Sequence, residues 1–153
     1  MSGRKELAQK YFVDGYNCSQ SVVLAYADLL GIEEKSLAKL ASSFGGGMGR
    51  LREVCGAASG MFMVLGLLYG YDNPKASEEK KEQYRKVQEA AKAFEEKNGS
   101  IVCRQLLGLD VNHDEYTPSE RTKEYYQKRP CKELVGDAVD IVEEFLAKYP
   151  DFS

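Results

Sequence analysis

Tryptophan is absent from this chain of 153 residues, and histidine occurs only once, as His113. We interpret this lone histidine as an exposed, uninvolved side chain, because metal sites and Cys–His or Ser–His–Asp catalysis need further partners. A large excess of one charge is missing too, since 24 acidic and 21 basic residues give a net charge of −3. This balance argues against nucleic acid or an anionic membrane as the main partner.

The start of the chain, MSGRKELAQKYF, lacks the apolar core of a signal peptide. We therefore expect a cytoplasmic protein, in which thiols stay reduced unless they bind a metal or take part in redox chemistry. One long uncharged segment, residues 54–71, barely reaches the length of a membrane span and contains four glycines. We interpret it as a helix buried in the protein, and no membrane span is expected.

Apolar residues recur at helical spacing through most of the chain. The pattern predicts helices at residues 3–14, 18–30, 33–43, 53–70 and 76–97, a short one after Ser100, one at 117–128, and a last one from Pro130. In the helix at 76–97, the core-facing residues are expected to be Tyr84, Val87, Ala91 and Phe94. No strand pattern, repeat or linker is visible. The sequence therefore predicts one all-α domain over residues 1–153, a multi-helix bundle around the apolar helix at about 53–70.

The apolar helix carries the sequence CGAASG at residues 55–60, in which Gly56 and Gly60 share one helix face. Glycine is about 1 kcal/mol worse than alanine inside a helix, so the pair indicates a use for the missing side chains. That use is either the close approach of a cofactor or tight packing against a neighbouring backbone. Upstream, the glycine-rich loop at residues 44–49 either cradles an anion or, as we expect, lets the backbone pass close to Cys55.

Four cysteines lie at or near the starts of predicted helices: Cys18, Cys55, Cys103 and Cys131. Free N–H groups and the positive end of the helix dipole favour a thiolate there. Neighbouring basic residues add positive charge at three of the four, with Arg52 near Cys55, Arg104 after Cys103, and Arg129 and Lys132 beside Cys131. If these helix starts meet at one end of the bundle, a soft metal or paired disulfides would hold the sulfurs.

The spacing of the cysteines matches neither zinc fingers nor ferredoxins, both of which use close C-x-x-C pairs. The simplest alternative is four buried cysteines that act as small hydrophobic residues.

The order Cys18, CGAASG at residues 55–60, Cys103 and Cys131 resembles the C_GCAxxG_C_C family of redox-active proteins, and the similarity spans roughly residues 5–145. The resemblance implies that the four cysteines are the functional set, with Gly56 and Gly60 as motif glycines. It implies no substrate.

Two redox mechanisms are expected for such a site. In one, Cys18, Cys55, Cys103 and Cys131 ligate an iron–sulfur cluster or another metal and the protein carries electrons. In the other, the cysteines pair reversibly as disulfides, with Cys55 and Cys103 as the first candidates for the reactive positions. A protein redox partner is expected for either mechanism, and a homo-oligomer is left open. The rival hypothesis is a helical binding or structural module whose cysteines are inert or hold a structural zinc.

Overall fold

The structure, a computed structural model, describes residues 3–109, 113–128 and 130–152. Its helices are α1 (Arg4–Val13), α2 (Cys18–Leu24), α3 (Ala27–Leu30), α4 (Glu34–Ala41), α5 (Gly45–Met48), α6 (Gly56–Tyr69), α7 (Ser77–Asn98), α8 (Cys103–Leu106), α9 (Lys123–Lys128) and α10 (Cys131–Lys148), with a 3₁₀ turn at Ser42–Phe44. Within these described ranges there is no strand, only one isolated antiparallel bridge between Val54 and Val102. The predicted all-α class is confirmed.

Helix α6 packs against α2, α7 and α10, and α1 packs against α2 and α10. The buried apolar side chains of α6 include Met61, Val64, Leu65 and Leu68. They form one hydrophobic core with valines of α2 and α10: Val22, Val23, Val135, Val139 and Val142. Burying each such side chain contributes about 1.5–3 kcal/mol. The helix is not buried on all sides, since Leu67 is 39% exposed. That the bundle is organised around α6 stays a prediction.

The apolar helix begins at Gly56, three residues later than the sequence predicts. Residues 52–54 pair with another segment instead: Glu53 accepts a hydrogen bond from the Cys103 amide, and the Cys55 amide donates to Ile101. These backbone groups are satisfied outside a helix, so the helix can start only after Cys55.

The predicted helix at residues 18–30 is wrong as one element, because it is interrupted at Tyr26. Arg4 donates a hydrogen bond to the Ala25 carbonyl at 2.7 Å, an acceptor that a continuous helix would use for the Leu29 amide. That amide donates to the Tyr26 carbonyl instead. The Tyr26 ring is fully buried beneath the Arg4 guanidinium, and its hydroxyl donates to the Val139 carbonyl.

Two other predictions need correction. The helix expected at 117–128 covers only Lys123–Lys128, because the Thr122 hydroxyl accepts a hydrogen bond from the Tyr125 amide and so caps the helix start there. In α7, Tyr84 is 56% exposed, and the buried face includes Gln83, Ala90 and Phe94. Of the predicted stripe, Phe94 is buried as expected, Val87 and Ala91 are partly buried, and only Tyr84 is exposed.

None of the helices in the described residues combines the length and the apolar character that a membrane span requires.

Candidate functional site

The four cysteines occupy helix starts, as the sequence predicts. Cys18, Cys103 and Cys131 are the first residues of α2, α8 and α10, and Cys55 is the N-cap of α6. None of the four is in a disulfide bond. The start of α2 is fixed by a capping box in which the Asn17 side chain accepts from the Gln20 amide and the Gln20 side chain accepts from the Asn17 amide.

One cavity of about 60 Å³ is lined by all four cysteines, so the structure brings together residues that are far apart in the sequence. Cys18, Cys55 and Cys103 are buried and Cys131 is partly exposed. The remaining wall is mostly apolar or basic: Phe12, Asn17, Gly46, Arg52, Gly56, Leu106, Leu107, Arg121, Tyr125 and Leu134. A cavity of this size holds only small groups, a few water molecules at most by the usual volume of roughly 10–15 Å³ per water.

The bridge between Val54 and Val102 positions two of the cysteines. Cys55 donates its amide hydrogen to Ile101 at 2.7 Å, and Cys103 donates to Glu53 at 2.6 Å. The two cysteines therefore occupy diagonal positions of a short antiparallel pairing, which in a regular sheet lie about 7–8 Å apart. These backbone hydrogen bonds hold the start of α6 beside the start of α8.

Gly56, the first motif glycine, leaves room for the Cys18 sulfur because it has no side chain. A Cβ atom at residue 56 would overlap the Cys18 sulfur, and it would lie 2.9 Å from the Phe44 carbonyl oxygen. Gly60 lies one turn later and packs on α2, where an added Cβ would lie 2.8 Å from the Ser19 carbonyl oxygen. Close helix packing therefore accounts for Gly60, and Gly56 lies at the cavity wall.

The glycine-rich loop passes next to Cys18 and Cys103, and its Phe44 and Gly45 lie against Gly56, the residue after Cys55. The Gly46 amide hydrogen-bonds the Cys18 sulfur. A Cβ at residue 47 would lie 2.6 Å from the Cys103 Cβ and 2.8 Å from the Arg52 Cα. Only glycine fits between these two residues.

The same loop contains the short element α5, and its backbone is unusual because Gly46 and Gly47 do not have helical angles. Gly46, Gly47 and Gly49 have positive φ angles, and so do Met48 (71°), Arg50 (68°) and Arg52 (59°). L-residues with side chains reach this left-handed region at a cost of about 1–2 kcal/mol each. Such strain is common at functional sites, where the surrounding structure holds it in place.

Arg52 is the electrostatic centre of the site. Its side chain is only 2% exposed, and its Nη1 donates to the Cys103 sulfur at 3.6 Å. Its Nε and Nη2 donate to Asp114 Oδ2 at 3.2 and 3.0 Å. Burial lowers the pKa of Arg52, but hydrogen bonds to Cys103 and Asp114 outweigh this and raise it above its usual value. The Arg52 hydrogen bond in turn lowers the pKa of Asp114.

The other buried thiols are held neutral. Burial raises the pKa of Cys18 above its ordinary value, although the Gly46 amide opposes the shift. Burial also raises the pKa of Cys55 well above its ordinary value, against the amides of Ala58 and Ala57. Burial thus disfavours the charged form of Cys18 and Cys55, and the Cys103 sulfur faces the Arg52 guanidinium.

Sequence proximity misassigned the positive charges. Arg52 contacts Cys103 and not Cys55, its neighbour in sequence. Arg104 donates to the Arg52 carbonyl and pairs with Glu53. Lys132 is exposed, and the prediction for Arg129 lies outside the described residues.

Sequence reasoning missed Asp114, Arg121 and the aromatic residues beside them. Asp114 pairs with Arg50 and Arg52, and Arg121 lines the cavity with Phe12 and Tyr125. The sequence did offer one signal, because Arg50 and Arg52 follow the glycine-rich loop. A buried arginine needs a carboxylate partner, and that partner can come from a distant segment. His113, beside Asp114, is exposed, as expected.

The described residues include no group of three or more Cys, His, Asp or Glu side chains placed to hold a metal ion. The four sulfurs surround the cavity without forming one ligand shell. The iron–sulfur or zinc centre stays a prediction, and what the described residues bring together is four cysteines around one cavity.

Comparison with known families gives one match. The model of the family described as "Putative redox-active protein (C_GCAxxG_C_C)" matches residues 16–145. No curated protein and no solved structure matches the chain significantly.

Proposed function

Because the chain belongs to the C_GCAxxG_C_C family of redox-active proteins, we propose that it carries out reversible thiol–disulfide exchange, with Cys103 as the attacking sulfur. The observation that carries this proposal is the hydrogen bond from Arg52 to the Cys103 sulfur, inside a cavity that three other thiols share.

The guanidinium donates a hydrogen bond to the Cys103 sulfur and can stabilise the negative charge on that sulfur during attack. The thiolate is the nucleophile in exchange reactions, and a nearby arginine stabilises it. Because Arg52 is buried, its charge is weakly screened by solvent. Asp114 holds two of the guanidinium nitrogens and so orients the third toward the sulfur.

In the first step, the Cys103 thiolate attacks a disulfide, R–S–S–R. A bond forms between the Cys103 sulfur and one RS group, and the S–S bond of the substrate breaks. The other RS group leaves as a thiolate, so charge and atoms balance.

In the second step, we assign Cys55 as the thiol that resolves the mixed disulfide. Its sulfur attacks the Cys103 sulfur, the second RS group leaves, and the proton of Cys55 goes to that group. The sum is one protein disulfide and two reduced RS groups, with two electrons passed from the cysteines to the substrate. The bridged segments place Cys55 diagonally from Cys103, and disulfides need Cα atoms about 4.4–6.8 Å apart, so the two segments need to approach only slightly.

Electron transfer through a metal centre at the same cysteines stays a prediction. The donor arrangement gives it no support, and we derive no step from it. The protein partner, the cytoplasmic location and the oligomeric state stay predictions too.

The test is an anaerobic preparation in which free thiols are counted before and after treatment with a small disulfide, and again after reduction. We expect two thiols to be lost and regained, with mass spectrometry locating the bond at Cys103 and Cys55. Cys103→Ser should prevent the reaction, whereas Cys55→Ser should stop at the mixed disulfide. Four unreactive thiols would overturn the proposal. Stoichiometric iron or zinc that withstands chelation would replace it with the metal-centred mechanism.

A further inference from the structure

A second cavity adjoins the cysteine cavity. Its volume is about 250 Å³, and it shares five wall residues with the first cavity: Asn17, Gly46, Arg52, Arg121 and Tyr125. The new part of the wall comes from the glycine-rich loop and from the segment after Asp114, including Gly49, Arg50, Tyr116 and Ser119. A molecule in this second cavity, the outer cleft, would lie directly beside the thiol site.

The outer cleft carries positive charge in a protein with a net charge of −3. Among the described residues that line it, all the charged ones are arginines: Arg50, Arg52 and Arg121. One carboxylate, Asp114, pairs with the first two, at 3.3 and 3.0 Å. The three arginines and this one carboxylate together leave an excess of positive charge in the cleft. A cleft with low-dielectric walls concentrates the electric field of such charge.

Arg121 contributes much of the excess. Its guanidinium donates to the backbone carbonyls of Phe12, Gly15 and Tyr16, which hold it in place without neutralising it. It also lies over the Phe12 ring, 4.3 Å from the ring centroid. The charge is thus fixed at the junction of the two cavities before any ligand arrives.

We propose that the outer cleft binds the anionic end of the exchange substrate, so that the preferred substrate is a small disulfide bearing carboxylates. This inference rests on the proposed exchange activity at Cys103. The carboxylate would lie against Arg121 and Arg50, and the S–S bond would point through the shared wall toward the cysteine cavity. The cleft volume suits a small molecule.

The test compares three disulfides of similar size and different charge: dithiodiglycolate, bis(hydroxyethyl) disulfide and cystamine, which are a dianion, a neutral molecule and a dication. Each exchange rate with the reduced full-length protein is divided by the rate of the same disulfide with free cysteine, which removes intrinsic reactivity. We expect the normalised rate of the dianion to exceed that of the neutral probe by about tenfold, with the dication slowest, and the preference to shrink as salt is added.

A variant pair locates the effect. Arg121→Gln should remove most of the preference for the dianion, measured as the ratio of the dianion rate to the neutral-probe rate in the same variant, since a cleft charge acts mainly on charged partners. Arg104→Gln is the matched control, because Arg104 pairs with Glu53 and does not line the cleft, so the preference should persist. Equal normalised rates for the three probes with the wild-type protein would overturn the inference and leave the exchange activity standing. No reaction with any of the three would overturn the exchange activity itself.

Discussion

Arg52 and Cys103 form a buried pair in which the guanidinium donates to the sulfur across 3.6 Å. The pair joins two segments that are 51 residues apart in the sequence. Arg52 also forms an ion pair with Asp114. The guanidinium therefore links the Cys103 sulfur to a carboxylate from a third segment of the chain.

Replacing Arg52 by methionine should slow alkylation of Cys103 by iodoacetamide at pH 7 by about tenfold, because the attacking sulfur loses the hydrogen bond and the positive charge of the guanidinium. The measurement is the alkylation rate against pH, with the modified cysteine identified by mass spectrometry. Arg52→Lys should retain part of the rate, since it keeps the charge and loses the fork that also holds Asp114.

The control for this experiment is Arg104→Met, whose side chain pairs with Glu53. Circular dichroism shows whether each variant has kept its helices. A folded Arg52→Met protein with an unchanged alkylation rate at Cys103 would contradict the assigned role of the guanidinium.

Two glycines of α6 should respond in opposite ways to alanine. Gly56→Ala pushes a methyl group into the Cys18 sulfur and the Phe44 carbonyl, and we expect a loss of about 1–3 kcal/mol in the free energy of unfolding. At Gly66 an added Cβ would meet nothing within 4 Å beyond the adjacent residues and the backbone of its own helix, so Gly66→Ala should stabilise the protein by up to about 1 kcal/mol.

Urea unfolding of the reduced proteins measures both changes. Because the two positions share one helix, helix propensity alone would make both variants more stable. A stabilised Gly56→Ala protein would mean that Gly56 does not confine the Cys18 sulfur.

Alkaline pH should destabilise the fold through Cys18 and Cys55. Burial raises the pKa of both thiols in the folded protein. Below the unfolded-state pKa of about 8.5 the thiols are neutral in both states, and their effect is constant. Above it the unfolded chain loses protons that the folded protein keeps, so stability falls by up to about 1.4 kcal/mol per pH unit for each thiol until the folded pKa is reached.

The measurement is the free energy of unfolding from pH 7 to pH 10 under anaerobic reducing conditions, for the wild type and for Cys55→Ala. Tyrosines and lysines titrate in both proteins, so the difference between the two curves isolates Cys55. Parallel curves above pH 8.5 would contradict the raised pKa.

Met48 offers a test of strain in the glycine-rich loop, because its φ angle is 71°. Met48→Ala and Met48→Gly remove nearly the same side-chain atoms, but only glycine adopts this angle freely. We expect the glycine variant to be more stable than the alanine variant by about 1 kcal/mol. If residue 48 had right-handed helical angles, the alanine variant would be the more stable one. A more stable alanine variant would therefore show that the loop is not left-handed at residue 48.

The sequence predicted what depends on local signals. Asn17 marks the start of α2 and Pro130 the start of α10, so the positions of Cys18 and Cys131 followed from capping rules. The break at Tyr26 was not predictable, because it depends on Arg4 taking the Ala25 carbonyl from another helix.

The pairings at the site depend on tertiary structure in the same way. The bridge of Val54 with Val102 and the pair of Arg52 with Asp114 each join segments remote in sequence. Arg52 was assigned to Cys55 because it precedes that residue by three positions, but its own left-handed backbone lies outside helical geometry, where such spacing has no meaning. The shared cavity of the four cysteines could not be predicted from local signals, because the fold brings them together. The family resemblance implied only that the four cysteines act as a set.

The left-handed backbone between Gly46 and Arg52 has a consequence for how the protein fails on heating. A segment that stores conformational energy opens more readily than the helices around it, because its opening releases that energy while most of the core stays packed. Inactivation should therefore begin at a lower temperature than melting of the bundle, and it should reverse on cooling as long as the thiols have not been oxidised in the open state.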